Sequence, residues 1–212
     1  MNLSYVLLLS VAVGLDSLFA GVAYGLKSIH MPFSSLAIVG IVTTVGATIA
    51  MGSARLLGQL IDSHITLVAG ALLLIGIGLF NLLKVYLSND APAHDTSDPV
   101  RTRKLIFSLG GLVISVMAKP EAADLDGSKS ISSGEAVLLS LALGVDNMAA
   151  TFAANLVGRL PLYTPLVMGI IQMAFITAGD YGAGHLTSNR FKYNLPYLSG
   201  WILIALGLAR LV

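Results

Sequence analysis

The 212-residue chain has no cysteine, which excludes disulfides, thiolate metal centres and iron–sulfur clusters. It is also poor in charge. Asp, Glu, Lys and Arg make up 11% of residues, where a soluble domain carries about 25%. Too few charges remain to cover a water-facing surface, and 56% of the chain is hydrophobic, with a mean hydropathy of +0.85. The composition is that of an integral membrane protein. A net charge of +1 says nothing about partners, and no basic patch interleaved with aromatics points to nucleic acid. The four histidines (His30, His64, His94, His185) show no HExxH and no recurring spacing. No nucleophile–base pair or phosphate-cradling glycine loop is visible, so enzymatic chemistry is not expected. Met1–Ser10 lacks Lys and Arg, the basic start of a secretory signal, so the first apolar stretch is expected to belong to the fold.

What the chain does have is long apolar segments. Six are read, at about Tyr5–Leu26, Phe33–Ala54, Thr66–Tyr86, Ala136–Val157, Leu162–Gly184 and Leu195–Val212. Segments of this kind suit helices crossing about 30 Å of hydrocarbon at 1.5 Å per residue, the last being short. The segments also repeat. Ser10-Val-Ala-Val-Gly-Leu-Asp16-Ser17-Leu-Phe-Ala returns as Ser140-Leu-Ala-Leu-Gly-Val-Asp146-Asn147-Met-Ala-Ala. Val39-Gly40-Ile answers Met168-Gly169-Ile, and Leu67-Val-Ala-Gly70 answers Tyr197-Leu-Ser-Gly200. Because each half has three spans, the second half enters the membrane from the opposite side. The predicted fold is therefore an all-α integral membrane protein of six transmembrane helices arranged as two inverted three-helix repeats. Residues 1–87 and 136–212 form the halves, and 88–135 forms a hydrophilic connection.

Orientation follows from the basic residues. Lys27, Lys84, Arg101, Arg103, Lys104, Lys119, Lys129, Arg190 and Lys192 fall on one side, against Arg55, Arg159 and Arg210 on the other. The positive-inside rule puts the central loop in the cytoplasm and both termini outside. The loop opens with a linker-like Ser88–Pro99 and continues with apolar Leu105–Ala118, too short for a comfortable span and read as interfacial or packed. Small residues in the spans, such as Gly21 and Gly25 or Ala149, Ala150, Ala153 and Ala154, are expected to serve close helix packing.

Asp16 and Asp146 carry the functional reading. An ionisable group at mid-depth costs roughly 2.5–3.5 kcal/mol on insertion scales, so membrane chains rarely keep one without a use for it. A carboxylate in low dielectric attracts a proton or a metal ion, and an exchanger can use that competition. Asn147, Ser17, Thr151 and Asn155 lie on or near the same helices, with Thr43, Thr44, Thr48 and Gln172 on spans two and five. Carboxylate and amide oxygens suit hard divalent ions such as Mn²⁺, Mg²⁺ or Ca²⁺. In this reading Asp16, Asp146 and Asn147 hold the ion, and Asn155 and Gln172 assist. The alternative is that both aspartates are protonated and merely join the halves. Asp180, among Gly179, Gly182 and Gly184 near the end of span five, reads as an interfacial turn residue.

A second acidic motif precedes span four. Set against the twelve-residue EF-hand loop, Asp124, Asp126 and Ser128 take positions 1, 3 and 5. Ser130 offers its carbonyl at 7, Ser132 stands at 9, and Glu135 takes the bidentate position 12. Lys129 stands where that loop wants glycine. Ca²⁺ binding at this cytoplasmic loop therefore competes with a plainer reading, in which Ser132 and Glu135 form a capping box that starts the fourth helix.

These features resemble a known family. The twin phrases Ala12-Val-Gly-Leu-Asp16 and Ala142-Leu-Gly-Val-Asp146, with six spans and a hydrophilic centre, are similar to the bacterial manganese efflux pump family (MntP type). The signature Pro120-Glu-Ala-Ala-Asp124-Leu-Asp126-Gly-Ser128-Lys-Ser-Ile131-Ser-Ser-Gly-Glu135-Ala136 looks like its sporulation membrane protein branch, the YtaF type. The resemblance implies a multi-pass protein of the bacterial inner membrane that exports a divalent cation, Mn²⁺ first. Asp16 and Asp146 match the family's aspartates in spans one and four. Two departures stand out: Gly14 and Gly144 replace the serines usual two places before each aspartate, and Lys129 replaces a glycine. The resemblance also leaves a second function open, a non-transporting sporulation-associated protein whose loop senses Ca²⁺ or docks a partner. The implied partners are the lipid bilayer and metal ions, with no permanent cofactor and no nucleic acid. Copy number stays open, a homo-oligomer included.

Overall fold

The computed structural model describes residues 3–90, 116, 120–186 and 189–209. Among them are six long helices and no strand: α1 (Leu3–Lys27), α2 (Phe33–Leu60), α3 (Ser63–Asp90), α4 (Ser133–Val157), α5 (Thr164–Leu186) and α6 (Asn189–Leu208). A 3₁₀ turn, Pro120–Ala123, precedes α4. Among the described residues, five of the six are long and apolar enough to cross a membrane, and α6 contributes a shorter apolar stretch, Tyr197–Leu208.

Helix starts are written locally. Pro32, with extended backbone, stands at the N-cap of α2, where its missing N–H costs nothing. Asp62 accepts from the backbone N–H of His64 at 2.8 Å and caps α3 across a two-residue turn. Ser132 and Glu135 form the capping box of α4. The apolar pattern, by contrast, understated helix length. α3 continues to Asp90, so the first three residues of the linker-like stretch are helical. α5 continues to Leu186, which makes Asp180 an intrahelical residue rather than the turn residue expected. Leu105–Ala118 lies outside the described residues apart from Val116, which is fully buried.

The main helix contacts close a ring in the order α1–α5–α2–α4–α3–α6. α1 and α4 stand opposite each other in this ring and meet over only a short stretch. Of the five long apolar helices they are the most enclosed: 56% and 61% of their apolar cores are buried, against 28–33% for α2, α3 and α5. The outer faces carry exposed Ile41, Val45, Leu72, Phe80, Ile170 and Trp201, as a surface solvated by lipid requires.

Glycines bring the backbones together. A Cβ on Gly21 would strike the carbonyl of Ile176, and one on Gly179 the backbone of Leu18 and Val22, which locks α1 to α5. Gly40 and Gly169 face each other where α2 crosses α5. Lipid supplies no hydrophobic drive between helices, so such close packing is what holds them.

Two apolar clusters fill the interior. One gathers Leu9, Val13, Met51, Leu74, Val157 and Leu203; the other gathers Tyr24, Val39, Ile131, Leu139, Leu143 and Ile176. α1 and α5 run from the first cluster to the second, and α2 and α4 run back.

Candidate functional site

A few polar residues lie between the two clusters. On α1, Val13 belongs to the first cluster and Ala20 to the second, with Asp16 and Ser17 between them. On α4, Leu143 and Ala150 bracket Asp146 and Asn147; on α2, Val39 and Ala47 bracket Thr43; on α5, Met168 and Ile176 bracket Gln172. Four helices therefore each carry a polar side chain in the interval between the clusters, with apolar packing to either side. Ser17, Thr43, Asn147 and Gln172 are buried to 4% exposure or less, while Asp16 and Asp146 are half-buried.

Of these, the structure joins Asn147 and Gln172: the Asn147 Nδ2 donates to Gln172 Oε1 at 2.8 Å. One hydrogen bond between two amides leaves one carbonyl oxygen and one NH₂ unused in either orientation. Here Asn147 Oδ1 and Gln172 Nε2 are buried with no partner, as is Thr43 Oγ1. An unpaired buried amide or hydroxyl costs about 1–3 kcal/mol, so three at one level mark a place that a polar guest would stabilise. Asp146 Oδ1 accepts from the backbone N–H of Asn147 at 2.9 Å, which turns that carboxylate along its own helix.

The other expected helpers serve the fold. Asn155 has both ends of its amide engaged: Nδ2 donates to the Met51 carbonyl at 3.1 Å and Oδ1 accepts from Leu160 N at 2.9 Å. It straps α4 to α2 and to the following loop. Thr44 and Thr48 donate to carbonyls one turn back, as does Thr151 to Asn147. The two glycines before the aspartates differ in surroundings. A Cβ on Gly14 would meet Phe175 at 3.0 Å, whereas nothing lies within 4 Å of one on Gly144.

The acidic turn before α4 docks on the bundle. Tyr24 Oη donates to the Pro120 carbonyl at 3.0 Å and Ser35 Oγ to the Ile131 carbonyl at 2.6 Å. A short bridge adds His30 N to Lys129 O at 2.7 Å and Ile131 N to His30 O at 3.0 Å. Ile131, fully buried, anchors the turn in the second cluster beneath the polar level. Nothing in the local motif announced this docking except an isoleucine within a polar run.

Asp124, Asp126 and Glu135 bring carboxylate oxygens within 4.8 Å of one another, the one such acid or histidine triplet among the described residues. These oxygens mostly satisfy the chain itself. Glu135 accepts from Leu125 N on one oxygen and from Ser132 N and Oγ on the other, at 2.7–2.8 Å. Asp126 accepts from Ser128 N at 2.9 Å and Asp124 from Lys129 N at 3.1 Å, leaving Asp124 Oδ1 buried and unpartnered. The adjacent Ser128 side chain and the Ser128 backbone N–H hold the Asp126 carboxyl below its ordinary pKa. Ser128 Oγ donates to the Ser130 carbonyl, the group expected at position 7. Lys129 adopts the left-handed φ of +59° that an EF-hand reserves for glycine. Both Glu135 oxygens are engaged by the capping box and the turn before it, so this segment forms the helix start that the plainer reading expects.

Two comparisons with known proteins bear on the whole chain. A family model described as "Putative manganese efflux pump" matches residues 1–82 and 96–211. "Probable sporulation protein YtaF" of Bacillus subtilis (strain 168) is 32% identical over 217 residues, covering all of both chains. No solved structure matches. With a family match over most of its length and a full-length relative, this multi-pass membrane protein belongs to the manganese efflux pump family.

Proposed function

We propose that the chain exports a divalent cation, Mn²⁺ first, across the bacterial inner membrane, binding it at the polar level between the two apolar clusters. The observation that carries this reading is the belt itself: Asp16, Thr43, Asp146, Asn147 and Gln172 at one level, with buried oxygens of Asn147 and Thr43 lacking partners. Two carboxylates would neutralise the ion and amide and hydroxyl oxygens would complete a hard oxygen shell, which suits Mn²⁺. The apolar clusters on either side would exclude water while the site is closed.

Alternating access follows from an inverted repeat of residues 1–87 and 136–212. Three features support the repeat. Exchanging α1 with α4, α2 with α5 and α3 with α6 leaves the ring of helix contacts unchanged. The twin helices α1 and α4 run in opposite directions, as do α2 and α5. Ser10 and Ser140, matched in the twin phrases, each donate to the carbonyl four residues back. Rocking of one half on the other would open the site to each face in turn, and protonation of the aspartates from outside would release the metal. The positive-inside distribution puts both termini outside.

Metal tolerance in cells expressing Asp16→Asn or Asp146→Asn tests the proposal. Both variants are expected to lose protection against Mn²⁺, and protection equal to the parent's in both would end it. A second reading rests on the sporulation protein similar over full length: a non-transporting membrane protein of spore formation, with structural aspartates. Reconstituted vesicles separate the two, since metal flux under a proton gradient is expected only of the exporter.

A further inference from the structure

The face opposite the 120–135 segment carries one arginine near the end of α2 and another just after α4. Arg55 and Arg159 together line two cavities, of about 440 and 270 Å³. Gln59 and Leu160–Leu162 complete the first; Ser63, Thr66 and Asn155 contribute to the second. Among the described residues, no aspartate or glutamate lines either. Asp62, the acid of the α2–α3 turn, is exposed and occupied in capping α3.

Arg55 is fixed in place: its Nη2 donates to the Leu160 carbonyl at 2.7 Å, while its Nε is buried with no partner. Arg159 is exposed and makes no hydrogen bond or ion pair with a described residue. A guanidinium does not shed its proton, so deprotonation cannot relieve two positive charges that share a cavity. An anion can. The planar fork of donors matches a phosphate oxygen pair, and the first turn of α3 adds the positive end of a helix dipole. Both arginines stand at the ends of membrane-spanning helices, the depth of lipid headgroups, and Leu162 at the cavity wall is 77% exposed.

We infer that Arg55 and Arg159 form a binding site for a phosphate-bearing anion, supplied either by the headgroup phosphodiester of an anionic lipid or by free phosphate. The site is separate from the polar level and does not depend on the manganese reading. Native mass spectrometry of the full chain, with phosphatidylglycerol, phosphatidylcholine or inorganic phosphate added, tests it. Phosphatidylglycerol should be retained in preference to phosphatidylcholine, and Arg159→Gln should weaken that retention roughly five-fold, while Arg159→Lys, which keeps the charge but loses the fork, should weaken it less. Arg159 is exposed, so these variants should fold, and unchanged retention of phosphatidylcholine would verify it. If inorganic phosphate displaces the lipid, or alone binds in an Arg159-dependent way, the anion site stands and free phosphate shares it or is its source. Equal retention of the two lipids together with no phosphate binding overturns the inference, as does retention by Arg159→Gln at the parent's level.

Discussion

The Asn147–Gln172 pair permits the sharpest test of the polar level. Asn147→Ala removes the donor at 2.8 Å and leaves Gln172 with neither end of its amide paired, in a side chain only 1% exposed. Gln172→Ala does the same to Asn147. Unpaired buried groups cost about 1–3 kcal/mol each, but interhelical hydrogen bonds in membranes average about 0.6 and reach about 1.7 kcal/mol in double-mutant cycles. The double variant should therefore be less destabilised than the sum of the singles by about 0.6–1.7 kcal/mol, roughly three- to twenty-fold in the unfolding constant. Reversible unfolding in mixed micelles measures all four corners. Repeating the cycle with Mn²⁺ separates fold from site. A bound ion at one hundred times its Kd adds about 2.7 kcal/mol to the parent, and Asn147→Ala should forfeit most of that increment. Additivity within about 0.3 kcal/mol, with the Mn²⁺ increment intact in Asn147→Ala, would refute the reasoning.

Other perturbations follow from the same geometry. Gly21→Ala drives a methyl into the Ile176 carbonyl and should cost about 1–3 kcal/mol through overpacking of α1 on α5, whereas Gly144→Ala, facing open space, should be nearly neutral; thermal midpoints in detergent compare them. Lys129→Gly relieves a left-handed residue and should stabilise the turn by up to about 1 kcal/mol, read as slower hydrogen exchange across 124–135. Millimolar Ca²⁺ should leave that exchange unchanged, because Glu135 is already engaged by Ser132 and Leu125, while Glu135→Gln should accelerate it by weakening the cap.

Much of this protein is legible in one dimension. Lack of charge and the length of the apolar runs dictate membrane helices, since only a structure that satisfies its own backbone survives in hydrocarbon. The capping box at Ser132 is equally local, and the structure forms it where the motif stands. The twin aspartate phrases single out α1 and α4, which prove to be the most enclosed of the five long apolar helices. Which polar side chains remain unpaired is another matter. Asn147 and Asn155 sit eight residues apart on one helix, yet Asn155 is used up by Met51 and Leu160 while Asn147 keeps a free oxygen. That difference depends on α2 and the α4–α5 loop. The docking of 120–135, through Tyr24, His30 and Ser35, likewise joins residues about 100 positions apart. The sequence by itself determined that this chain crosses a membrane and keeps acids in it, because hydropathy and helix length act residue by residue. Only the tertiary structure decided which oxygens are left for a guest and that two arginines share a cavity, because pairing is a property of neighbours brought together by packing.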